Sequence, residues 1–202
     1  MEFIIISGLS GAGKSSAAAF LEDLGFYCVD NMPTALLTKF AELCLATRGR
    51  YEKVALVTDI RSQESFSELF AALGELGSMG VHYRILFVEA SESAIVRRYK
   101  ESRRPHPLQA ESGCSLPEAV RRESELLAPV RERADFVINT TGLTLAMLQK
   151  RICEYFADGG TRRDILVNVV SFGFKYGISA TWAGIGNAIL GSLLAWWILG
   201  PR

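Results

Sequence analysis

Eight consecutive residues, Gly8-Leu9-Ser10-Gly11-Ala12-Gly13-Lys14-Ser15, constrain this chain more than any other feature. They satisfy G-x-x-x-x-G-K-[ST] at every fixed position. The apolar run Phe3-Ile4-Ile5-Ile6 precedes them and has the β-branched character of a buried parallel strand. Ser16 to Leu24 follows with helix-forming residues and stops at Gly25. A glycine-rich loop between strand and helix turns backbone N–H groups inward around a phosphate, and the helix N-terminus favours the same charge. In that arrangement Lys14 reaches the β- and γ-phosphates and the Ser15 hydroxyl holds Mg²⁺. An ordinary glycine-rich turn is the competing explanation. The complete motif in its full strand–loop–helix setting outweighs it.

With 202 residues there is room for one α/β domain and a short appendage. Hydrophobic residues make up 49% and charged residues 22%, proportions that support a sizeable core. Basic and acidic residues are equal at 22 each, so no overall charge draws the molecule to nucleic acid, although a local basic patch is compatible with this. Cys28, Cys44, Cys114 and Cys153 are scattered without a C-x-x-C pair, and the histidines are His82 and His106. That pattern argues against zinc and for free thiols in a reducing compartment. The short apolar N-terminal run lacks a basic leader and leads straight into the loop, which does not suit a signal peptide.

Strands and helices alternate along the chain. Strands are expected at Phe26–Val29, Val54–Asp59, Tyr83–Glu89 and Phe136–Asn139. Helices are expected from Thr34 to about Ala46, after Ser62, from Ser91 to about Glu101, from Leu116 to about Arg133 and from Thr144 to about Phe156. In the first of these helices Leu36, Leu37, Phe40, Leu43 and Leu45 are expected mostly on one side, and Gly74, Gly77 and Gly80 are expected to loosen the end of the second. The polar stretch Ser102–Ser115 lacks hydrophobic periodicity, as a loop over a site would. This spacing predicts an α/β fold: a doubly wound, mostly parallel five-stranded sheet with helices on both faces.

Several residues gather around the expected phosphates. Asp59 ends an apolar strand and, if that strand neighbours Ile4–Ile6, comes close enough to Ser15 to hold Mg²⁺; a capping role is the alternative. Lys14 and Asp59 are therefore the candidate catalytic residues, and Ser15 and Asp59 the candidate metal ligands. Arg61 contacts phosphate or guanine, or stands as a solvated loop cation. Asp30 also ends a strand; in small P-loop kinases a carboxylate there binds an acceptor or acts as base, and a turn residue is the alternative. Arg97 and Arg98 are expected to be helix-surface charge with Glu92 and Glu101 as partners, whereas Arg103 and Arg104, beside Pro105 and Pro107, form a candidate lid. His106 is given no catalytic role.

Together the loop Gly8–Ser15, Gly25-Phe26-Tyr27-Cys28-Val29-Asp30-Asn31, Asp59-Ile60-Arg61-Ser62, Arg103-Arg104-x-His106-Pro107-Leu108 and Ser171-Phe172-Gly173-Phe174-Lys175-Tyr176-Gly177 resemble the RapZ/YvcJ family of bacterial P-loop nucleotide-binding proteins, which includes the RNase adapter. The resemblance runs from residue 1 to about residue 178. It implies ATP binding by Gly8, Leu9, Ser10, Gly11, Ala12, Gly13, Lys14 and Ser15, and a GTP-associated segment at Asp59, Ile60, Arg61 and Ser62. It further implies weak ATPase and GTPase activity with Mg²⁺ in a bacterial cytoplasm. In that family a second domain, linked to small-RNA binding and metabolite sensing, continues after the Ser171–Gly177 motif; here it is expected to be truncated.

From Tyr176 to Pro201 no residue is charged. About 20 apolar residues suffice to cross a bilayer as a helix, and Gly184, Ala188 and Ser192 form a small-residue stripe of the kind that lets membrane helices approach. A tail anchor, a buried hairpin and a non-native tail after truncation or a shifted reading frame all fit this segment. The expected organisation is a nucleotide-binding domain over residues 1–157, the start of a truncated second domain over 158–178 and an apolar tail over 179–202. The leading expectation is a regulatory protein that binds ATP and GTP and hydrolyses them weakly. A small-molecule or nucleotide kinase is the alternative, and an RNA-binding adapter is the alternative of another class, with RNA binding expected to be weak or absent in this chain.

Overall fold

The computed structural model describes residues 1–47, 51–58 and 63–157, all in the unit Met1–Gly160. Asp59–Ser62 and everything from residue 158 onward, including the apolar tail, lie outside the described residues. Among the described residues, the strands are β1 (Glu2–Gly8), β2 (Tyr27–Val29), β3 (Lys53–Val57), β4 (His82–Glu89) and β5 (Phe136–Asn139). The helices are α1 (Lys14–Asp23), α2 (Leu37–Ala46), α3 (Gln63–Ser78), α4 (Glu92–Ser102), α5 (Pro107–Ser112), α6 (Leu116–Glu132) and α7 (Leu145–Phe156), with a 3₁₀ turn at Thr34–Leu36.

The sheet runs β2-β3-β1-β4-β5 and every pairing is parallel. β1 lies at its centre, which explains its composition: Phe3, Ile4, Ile5 and Ile6 are all fully buried because both faces of a parallel sheet are covered. Right-handed crossovers place helices that lead in opposite directions along the sheet on opposite faces. Accordingly α1 packs with α7, and α2 packs with α3. β3 is the neighbour of β1, with Ile6 opposite Val57. That adjacency is the condition on which the Asp59 reasoning depends; Asp59 itself is among the residues outside the description.

Three local expectations need correcting. The buried face of α2 is Leu37, Ala41 and Cys44, an i, i+4, i+7 stripe. Leu43 and Leu45 fall off that stripe and are exposed, as is Leu36 in the preceding 3₁₀ turn, so leucine content misled where periodicity did not. Gly74 and Gly77 do not loosen α3, which continues to Ser78 because Leu69, Leu73 and Leu76 keep its inner face anchored. The polar stretch after α4 is not wholly irregular. Pro107 occupies the first turn of α5, where its missing N–H costs nothing, and Gly113 ends that helix in a left-handed conformation. The Ser91 cap is present: its hydroxyl accepts from the Ala94 amide at 3.3 Å. Among the described residues no helix is long and apolar enough to cross a membrane.

Candidate functional site

At the carboxyl end of β1 the chain leaves the sheet at Gly8, whose φ is +136°. A Cβ there would lie 2.0 Å from the Val88 carbonyl oxygen, so β4 backbone occupies the space a side chain would need. The loop residues then divide by role. Leu9 and Ala12 face the core and are buried, while Ser10, Gly11, Gly13, Lys14 and Ser15 line a cleft of about 780 Å³. Gly13 is the N-cap of α1 and offers no side-chain cap, and no acidic residue occupies the first turn. The first amides of α1 therefore open into the cleft with the positive end of the helix dipole.

The carbonyls of the loop are tied back. Lys14 Nζ donates to the Gly8 carbonyl at 2.7 Å. Arg98 Nη1 donates to the Gly11 carbonyl at 3.0 Å, and the Thr140 hydroxyl to the Ala12 carbonyl at 2.7 Å. Arg98 also holds Thr140 through its hydroxyl at 3.1 Å and its carbonyl at 2.9 Å. The Leu9, Ser10 and Ala12 amides donate to the Val88 carbonyl, to Glu123 and to the Leu9 carbonyl, so the Gly11 and Gly13 amides are the ones left to an anion.

Arg98 is therefore a brace of the loop rather than surface charge, which corrects the expectation for it. The competing pairing that suggested surface charge holds for its neighbour: Arg97 faces Glu101 at 3.9 Å, and Glu92 is taken by Arg121 at 3.5 Å. Arg104 is exposed and lines the cleft, whereas Arg103 closes α4 with φ of +54° and is not a lining residue. Asp30 and Asn31, at the end of β2, also line it. Lys14, Arg98 and Arg104 outnumber Asp30, the one carboxylate among the described lining residues, so the cleft suits a polyanion. The Ser15 hydroxyl is exposed in the cleft without a hydrogen-bond partner among the described residues, which fits a ligand to Mg²⁺.

Sequence reasoning missed the buried side of the loop. Glu123, on α6, accepts from the Ser10 amide at 2.9 Å and from the Ser10 hydroxyl at 2.5 Å. His106 Nε2 lies 3.2 Å from the same carboxylate and is fully buried. Burial pushes the Glu123 carboxyl up, but hydrogen bonds from His106 and from Ser10, with the nearby Lys14 charge, leave it below the ordinary glutamate value. An i, i+3/i+4 stripe of Ala119, Val120, Glu123 and Leu127 carried the only signal in the sequence, a carboxylate on an otherwise apolar helix face.

A second concavity of about 810 Å³ opens at the amino edge of the sheet, around Glu2, Lys53, His82 and Arg84. Among the described residues it has no glycine loop and no helix N-terminus, and the Glu2 carboxylate already pairs with Arg84. Ligands of open parallel sheets bind at the carboxyl edge, where the loop lies.

The sequence pattern of the RapZ-like N-terminal domain matches residues 1–160. A nucleotide-binding protein of Alkaliphilus oremlandii is 46% identical over 178 residues, covering 88% of this chain and 61% of that protein. One of Acetivibrio thermocellus is 48% identical over 178 residues, covering 88% of this chain and 60% of that protein. The chain thus spans about three-fifths of the length of these relatives. Shikimate kinase from Bacteroides thetaiotaomicron shares the fold with a TM-score of 0.51 at 15% identity, covering 76% of this chain and 97% of that one. The tunicamycin resistance protein of Deinococcus radiodurans does so with a TM-score of 0.50 at 17% identity, covering 76% and 94%. These two likenesses concern the P-loop fold alone. The match over residues 1–160 establishes that the chain belongs to the RapZ-like N-terminal domain family.

Proposed function

We propose that the cleft binds ATP or GTP with Mg²⁺ and hydrolyses it slowly, in a regulatory role. The observation that carries this reading is the loop Gly8–Ser15, whose Gly8, Gly11 and Ala12 carbonyls are engaged by Lys14, Arg98 and Thr140 while Gly11, Gly13, Lys14 and Ser15 line the cleft. Gly8 to Ser15 would cradle the phosphates, Lys14 would lie against the β- and γ-phosphates, and Arg104 would cover them. Mg²⁺, held by Ser15 and Asp59, would neutralise charge growing on the phosphate oxygens. The segment Asp59–Ser62 is the proposed contact for GTP. This function belongs to residues 1–157, with 158–178 the start of a second domain and 179–202 an apolar tail; a cytoplasmic location goes with it.

Calorimetry against a nucleotide panel, paired with phosphate release, tests the proposal. Asp59→Asn should lower hydrolysis far more than affinity measured without Mg²⁺, because the lost group acts through the metal. Equal losses would point to a structural cap instead.

Phosphoryl transfer to an acceptor is a second reading, favoured by the position of Asp30 and Asn31 in the same cleft. The Asn31 amide donates to Asp30 Oδ1 at 2.8 Å, leaving Oδ2 to take the proton of an acceptor hydroxyl as its oxygen bonds the γ-phosphorus and ADP departs. Incorporation of the γ-phosphate into a hydroxyl compound, lost in Asp30→Asn, distinguishes transfer from hydrolysis. RNA binding is the reading of another class. With equal basic and acidic counts, the full chain should shift small RNA no better than a neutral control protein at about 0.15 M salt.

A further inference from the structure

We propose that Glu123 is a positioning residue that holds the phosphate-binding loop and the Arg104-bearing segment in one register, so that Arg104 belongs to the nucleotide site. The proposal rests on the reading that the cleft binds a nucleoside triphosphate. One carboxylate serves both sides. Toward the loop it takes the amide and the hydroxyl of Ser10 at 2.9 and 2.5 Å. Toward the lid segment it meets His106 Nε2 at 3.2 Å. A carboxylate only accepts, so the His106 proton on this bond sits on Nε2. His106 Nδ1 is buried and has no hydrogen-bond partner among the described residues, which makes Glu123 the sole polar anchor of that ring among them.

The short chain between Arg104 and His106 transmits the anchor. Pro105 and Pro107 fix their own φ and confine Arg104 and His106, the residues before them, to extended backbone. His106 is extended as expected, with φ −70° and ψ 139°. Arg104 lies two residues from the anchored ring, so its backbone has little freedom once His106 is seated. Tyr99 completes the contact: its ring lies 5.1 Å from the imidazole and so close to Gly11 that a Cβ there would fall 2.9 Å from it. The loop and the lid segment therefore share two neighbours, the buried Glu123 and the half-buried Tyr99. This also explains why a histidine stands in the Arg103-Arg104-x-His106-Pro107 motif without reaching the cleft itself.

The test is a double-mutant cycle on the full chain, read as Mg-ATP affinity by calorimetry. Arg104→Ala should weaken binding about tenfold in the parent, the scale of one charge-assisted contact. In the His106→Leu background the same change should cost less than about twofold, because Arg104 is no longer held in place. His106→Gln, which keeps a donor at the ε position, should restore the full penalty. A second measurement needs no nucleotide: hydrogen exchange of peptides spanning residues 8–15 should be about tenfold faster in His106→Leu and in Glu123→Gln. Should His106→Leu fail to fold, Glu123→Gln carries the cycle. Additive penalties, or unchanged exchange in the loop, overturn the proposal. A parent chain that binds no nucleotide overturns the functional reading instead, and the exchange data still decide the coupling.

Discussion

Arg98 Nη1 donates to the carbonyl of Gly11 at 3.0 Å, so a helix-borne arginine grips the back of the glycine-rich loop. The same guanidinium holds Thr140, which in turn holds Ala12, and one side chain thereby ties α4 and the end of β5 to the loop. Arg98→Ala should cost about 1–2 kcal/mol of stability for the unmade hydrogen bonds and weaken nucleotide binding about tenfold by loosening the loop. Arg98→Lys should not rescue, since an ammonium cannot present the planar fork that spans Gly11 and Thr140. Denaturant midpoints and calorimetry on both variants check this; losses below about 0.5 kcal/mol would mark ordinary surface charge.

Lys14→Ala should weaken Mg-dependent ATP binding roughly ten- to a hundredfold and leave the fold intact. The side chain is only partly buried, so its removal opens no core cavity. A charge-assisted contact to phosphate is worth roughly 1.5–3 kcal/mol, well above what a surface lysine contributes. Titration calorimetry beside circular dichroism reads both halves of the prediction, and unchanged affinity would remove the loop from consideration as the binding site.

Gly8→Ala should fail for a different reason. The added Cβ would meet the Val88 carbonyl oxygen at 2.0 Å in a backbone conformation that L side chains rarely adopt. Neither neighbour is a flexible side chain, so β1 and β4 must part. Strain at such a φ costs about 1–3 kcal/mol before the clash is added. A fall in Tm of roughly 10 °C is expected, from about 2–4 °C per kcal/mol in a chain of this size. A variant melting within about 2 °C of the parent would contradict the close approach of the two strands.

Much of this was legible in the chain itself, and the reason is local. The loop motif, the buried run Phe3–Ile6 and the Ser91 cap are each encoded within a few adjacent residues, and each stands where periodicity and turn chemistry put it. The braces of the loop were not legible, because they come from far along the chain: Glu123 lies 113 residues from Ser10, and Thr140 lies 128 from Ala12. Arg98 looked like surface charge because glutamates stand nearby on its own helix. Its real partners are backbone carbonyls, which no pattern of side chains announces.

The buried Glu123–Ser10–His106 group also makes stability depend on acid. The Glu123 carboxyl ionises below its ordinary value of 4.5: burial opposes ionisation, but hydrogen bonds from His106 and Ser10 and the Lys14 charge outweigh it. A carboxylate depressed in the folded state binds fewer protons there than in the unfolded chain. Its contribution is therefore present in full above the unfolded value and drains away as pH falls below it toward the lower folded value. Other acids titrate in the same range, so the informative quantity is the difference between the parent and Glu123→Gln. The parent should be the more stable at pH 7, and the gap should narrow as pH drops from about 5 toward 3. Urea midpoints measured across that range give the two curves directly. Parallel curves would mean that Glu123 is not held as an anion by Ser10 and His106.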